Sequence, residues 1–120
     1  MLGFDVMVWR EHEANQPQPW KWCVAQWETG VRGLDWLDEL VPAGEVRDLG
    51  GNGYPLHYRI RASTLARVLK HGVPVNDSPS VIGEDYVLPT GYNGPLTVDA
   101  PKLQACLEDE WLVVEAWDMS

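Results

Sequence analysis

From Tyr54 to Arg61 the chain alternates without a break: Tyr54, Leu56, Tyr58 and Ile60 fall on one side, His57, Arg59 and Arg61 on the other. Successive side chains of a strand point to opposite faces, so this stretch predicts a strand with one apolar and one basic face. A sheet built around such a strand has a face to bury and needs a second layer to cover it. The rest of the chain must supply that layer, and whatever it leaves on the other face stays open to solvent or to a partner.

The flanking segments supply both strands and helices. Leu2–Trp9 alternates Phe4, Val6 and Val8 against Asp5, Met7 and Trp9, which is strand spacing, and Arg10–Pro19 is a polar loop with two prolines. Trp20–Glu28 alternates again, with Trp20, Trp22 and Val24 on the expected core side and Lys21, Cys23, Ala25 and Trp27 opposite. Leu34–Val41 changes to helical spacing: Leu34, Leu37 and Val41 share a face, and Pro42 ends the run. Asp48–Gly53 reads as a turn. Ser63 is the expected N-cap of a helix carrying Leu65, Val68 and Leu69, with Gly72 as its C′ residue. Val73–Asn93 is a partly irregular excursion with a short strand candidate at Asp85–Leu88, and Asn93-Gly94 repeats the turn signal before Leu96–Val98. Asp99 and Pro101 open a third helix with Leu103, Cys106 and Leu107 as its stripe, and Glu110–Asp118 closes as a strand. This order predicts one α+β domain over residues 1–120. Its sheet is mostly antiparallel, of about five or six strands, with two or three short helices packed on one face.

A chain of 120 residues with 45% hydrophobic and 22% charged residues has the composition of a globular domain. The start Met1-Leu2-Gly3-Phe4-Asp5 has no basic, apolar or cleavage region of a secretory leader, and runs such as Trp111–Val114 are too short to span a bilayer. A cytoplasmic protein is expected. Two cysteines, Cys23 and Cys106, are too few for a disulfide framework and read as buried thiols.

Charge is segregated. Residues 51–75 hold no acid and four bases (Arg59, Arg61, Arg67, Lys70), whereas residues 1–50 hold nine acids and four bases and residues 76–120 nine acids and one base. The net charge of −9 disfavours direct binding to nucleic acid and favours basic partners. His57, Arg59 and Arg61 form a candidate anion-binding group, because guanidinium holds carboxylate or phosphate bidentately. The alternative is that the arginines pair with acids such as Glu115 or Asp118 across the strands.

Tryptophan is the second unusual feature, at seven residues. Period-two alternation puts Trp9, Trp27, Trp111 and Trp117 on the side shared with charged residues, opposite core-like rows such as Leu112, Val114 and Ala116. That face would be aromatic and charged together, as the centre of a protein interface is, unless the 73–93 excursion folds over it.

Catalytic and metal motifs are missing. Gly50-Gly51-Asn52-Gly53 precedes a strand and lacks Gly-Lys-Ser/Thr, so it is a turn rather than a phosphate cradle. His12, His57 and His71 are dispersed, no Cys-x-x-Cys occurs, and no nucleophile elbow is present. Acid pairs such as Glu84-Asp85 read as solvated faces rather than a glycosidase pair. No enzyme activity, cofactor or metal is expected.

In small size, acidity, single mixed domain and want of a catalytic motif, the chain resembles bacterial immunity proteins. These are the cytosolic proteins paired with contact-dependent or other polymorphic toxins. The likeness spans the chain as a type. Segments such as Gly50–Pro55 and Gly91–Pro95 match no family signature, so no residue roles are carried over. The resemblance implies an immunity or inhibitor protein that occludes a basic toxin domain, such as a nuclease. Trp9, Trp27, Trp111 and Trp117 are the expected anchors, and Glu108, Asp109, Glu110 and Glu115 the charged partners. A small-molecule or glycan-binding module using tryptophans with Arg59 and Arg61, and an inhibitor that imitates DNA with its acids, are the alternatives.

Overall fold

In a computed structural model, the described residues are 3–13, 22–73, 80–82, 86–88 and 96–119. They form β1 (Phe4–Arg10), a 3-10 turn (Glu11–Glu13), β2 (Ala25–Thr29), α1 (Asp35–Leu40), β3 (Val46–Gly51), β4 (Leu56–Arg61), α2 (Ala62–Lys70), β5 (Ser80–Ile82), β6 (Tyr86–Leu88), β7 (Thr97–Val98), α3 (Ala100–Ala105) and β8 (Trp111–Asp118). Six strands make one sheet in the order β3-β4-β8-β1-β2-β7, every neighbouring pair antiparallel. β5 and β6 form a separate antiparallel pair. The fold is α+β, as the order of elements predicts.

Alternation decides which face is buried. Val6, Val8, Tyr58, Ile60, Leu112, Val114 and Ala116 enter one apolar cluster with Trp36 and Leu37 of α1 and Ala62 and Leu65 of α2, while Leu103 and Cys106 of the α3 region pack against its margin. All three helices therefore lie on the same face of the sheet, and burial of their apolar stripes holds them there.

Helix ends are satisfied in different ways. Asp99 caps α3 as expected, its carboxylate accepting from Lys102 N–H at 3.0 Å, with proline in the first turn. Gly72 takes φ +86° just past α2, the left-handed conformation expected of its C′ position. Ser63 is not the cap of α2. That helix starts at Ala62 directly from the end of β4, and Arg61 occupies the N-cap position without a side-chain bond. Its free N–H groups are met by the turn before β8: Ala62 donates to Glu110 O at 2.8 Å and Ser63 to Glu108 O at 3.1 Å.

Several sequence expectations need correction. Asp48–Gly51 is not a turn but the end of edge strand β3, whose pairing with β4 shifts register between Asp48 and Gly50. The turn proper lies at 52–55, where Asn52 Oδ1 accepts from Tyr54 N–H at 2.9 Å. Tyr54 precedes β4 and is exposed rather than part of its apolar row. Trp22 is not a core residue; it is 40% exposed, and Lys102 Nζ lies 5.3 Å from its ring centroid. Leu107 is likewise exposed rather than packed. Trp20 and most of the 73–93 excursion lie outside the described residues, including the segments that could cover the sheet.

Candidate functional site

The face of the sheet turned away from the helices is organised by β8. Its outward residues are Trp111, Val113, Glu115 and Trp117. On the β4 side these stand opposite Arg61, Arg59 and His57, and on the β1 side Trp9, Met7 and Asp5 face Val113, Glu115 and Trp117. One step further out, Arg47 of β3 is opposite Arg59, and Glu28 of β2 is opposite Asp5. The central strand thus carries an aromatic spine between a basic flank (Arg47, His57, Arg59, Arg61) and an acidic one (Asp5, Glu28).

The four expected anchor tryptophans separate into three environments. Trp27 is not on this face: it pairs in register with Val6, is 1% exposed and stacks at 6.4 Å on Trp36 inside the core. The irregular backbone before β2, where Val24 N–H already bonds Val8 O, puts both Val24 and the Ala25-Trp27-Thr29 row inside and so reverses the expected parity. Trp9 is on the expected face yet only 1% exposed, beside buried Val113, so it supports the face rather than presenting an anchor. Trp111 is half-buried and Trp117 is 38% exposed; these two remain available.

Trp111 is held by cations. The guanidinium carbons of Arg47 and Arg61 lie 4.3 and 4.4 Å from its ring centroid. Arg61 also donates from Nη1 to Asp109 O at 3.3 Å. Arg59 pairs with Glu11 at 3.2 Å, so the expected partners Glu115 and Asp118 are replaced by an acid from the 3-10 turn. Glu115 instead stands opposite His57. Alternation assigns Arg47, just before the turn expected at Asp48–Gly53, to no element; register with Arg59 is what places it at the site.

Beside Trp111 is a cleft of about 510 Å³, lined also by Glu11, His12, Asp109 and Glu110. Asp109 of this lining is exposed, as is Glu108 before it in the chain. Glu110 is committed internally: Arg10 Nε and Nη2 bond its two carboxylate oxygens at 2.9 Å each, which holds the carboxyl below its usual range. Lys102 bonds Glu13 nearby. Cys106 donates to Lys102 O at 3.4 Å, and burial first, then the Glu110 charge, raises its thiol. Cys23, lining a second cleft of about 520 Å³ beside β7, is pushed up to about 11, mainly by burial. Both half-buried thiols are held protonated at neutral pH, the opposite of what a nucleophile needs.

Among the described residues no three His, Cys, Asp or Glu side chains are grouped as metal ligands would be, and no helix is long and apolar enough to cross a membrane. Compared with protein-family models, curated proteins and solved structures, the chain matches none.

Proposed function

We propose that the chain is an acidic, non-catalytic binding domain that docks a basic protein partner through the outer face of β8, and that the partner is a toxin domain neutralised by occlusion. One observation carries this reading. Trp111 and Trp117 stand partly exposed at the two ends of one central strand: Asp5 borders Trp117, and Asp109 and Glu11 lie beside Trp111, whose ring also carries Arg47 and Arg61. Indoles with a polar rim are the residues that dominate interface energy, and an acidic surround speeds encounter with a cationic surface. The net charge of −9 points the same way.

The test is to express the proteins encoded by the adjoining genes, seek a toxin domain among them and titrate it with the purified chain. Association should slow steeply with added salt, while Trp117→Ala and Trp111→Ala should chiefly speed dissociation. Survival of toxin-expressing cells should depend on the same two side chains. A toxin domain that binds equally well to both variants would remove the proposed face, and the absence of any bound toxin would remove the reading as a whole.

A further inference from the structure

The pair of arginines on Trp111 is hard to explain as structure alone. Acids outnumber bases by 18 to 9 in this chain, yet among the described residues neither Arg47 nor Arg61 makes an ion pair. Arg47 also stands directly opposite Arg59, a like-charge pairing that costs stability in a sheet. Arg59 is compensated by Glu11; Arg47 is exposed, with its guanidinium over the indole.

Stacking uses the flat face of a guanidinium and leaves its N–H edge free. Arg61 spends one donor on Asp109 O, and Arg47 spends none on the described residues. Both guanidinium carbons lie against the same indole, 4.3 and 4.4 Å from its centroid. One oxyanion has enough acceptor positions to take hydrogen bonds from two such groups. Trp111 thus fixes the orientation of two side chains that would otherwise lose rotamer freedom on binding.

We infer that Arg47 and Arg61, oriented by Trp111, form a binding site for an oxyanion, either a phosphate group or a carboxylate. The site does not depend on the docking role proposed above. Its affinity for a free anion is limited by the overall negative charge and by the exposed Asp109 on the adjoining cleft.

The test is a titration of the ¹⁵N-labelled chain, following the indole and arginine Nε–H signals in NMR spectra that also report whether each variant is folded. Pyrophosphate is added in one arm and glutarate in the other, with sodium chloride at matched ionic strength as reference. Saturable shifts of Trp111 and of the Arg47 and Arg61 Nε–H signals are expected beyond those from chloride. A response to pyrophosphate alone assigns the phosphate source, to glutarate alone the carboxylate, and to both the shared chemistry. R47Q and R61Q should each weaken binding by about fivefold or more, the loss of one charge-assisted contact. R32Q, beside α1 and paired with Asp35, should leave it unchanged, and D109N should tighten it. Shifts no larger than those of chloride, or equal affinity in R47Q, R61Q and R32Q, would overturn the site.

Discussion

Arg10 and Glu110 meet fork to fork, with both N–H···O contacts at 2.9 Å, and so tie the end of β1 to the residue that enters β8. Both side chains are mostly shielded, at 22% and 18% exposure, which makes this pair stronger than a solvated surface bridge. The folded pKa of Glu110 is lowered, chiefly by the hydrogen bond from Arg10. Its contribution is therefore complete above the unfolded value of about 4.3 and is lost as pH falls through the lower folded value. Glu110→Gln should cost about 1–3 kcal/mol at neutral pH. Its stability should also fall less between pH 5 and pH 2 than that of the unaltered chain. Urea unfolding midpoints at both ends of that range measure the difference; equal midpoints at neutral pH would show that the fork adds nothing net.

Two tryptophans that look alike in sequence should respond unequally. Trp27→Ala removes a fully buried ring stacked on Trp36 and should cost about 3–5 kcal/mol. Trp117→Ala, at a partly exposed position, should cost only about 1–2 kcal/mol. Thermal unfolding of the two variants separates core from surface. A large loss for Trp117→Ala would mean that its ring belongs to the packing and not to a binding face.

Tyr58 donates its phenol proton to Asp38 Oδ1 at 3.2 Å while its ring is buried. Burial first, then the Asp38 charge, raises its pKa well above the ordinary value. A raised value in the folded state means that the unfolded chain releases this proton first, so stability should decline as pH climbs past about 10. Tyr58→Phe should lose about 1 kcal/mol at neutral pH and show a shallower alkaline decline. Ultraviolet titration of phenolate, run alongside unfolding, reads both.

The thiols offer a test of the non-catalytic reading. With both raised, alkylation by iodoacetamide at neutral pH should be slower than for free cysteine and should accelerate with pH. The Cys23 profile should still be climbing at pH 10, in keeping with a value of about 11. A cysteine that reacted faster than free cysteine at pH 7 would reopen nucleophilic chemistry.

The elements most legible in the sequence were those in which one period acts alone. β4 and β8 alternate cleanly because each has one face on the core and one turned out, and α3 announces itself through Asp99 and Pro101. β3 was obscured because an edge strand bonds on one side only and can accommodate Gly50 and Gly51 at a register shift, so turn-like residues occupy a ladder. Trp27 was misassigned because alternation records parity but not the irregular step that precedes β2. At the site, Trp111, Trp117, Arg59 and Arg61 could be read from one-strand patterns. Arg47 and Glu11 could not, since long-range pairing alone brings them there.

β8 lies between β4 and β1 in the middle of the sheet although residues 111–118 come after every other strand in the sequence. During synthesis, the β1–β2 ribbon and the β3–β4 ribbon have no common neighbour until that segment has left the ribosome. Their inner edges lack their native neighbour until then, so assembly hinges on one late insertion between two waiting halves.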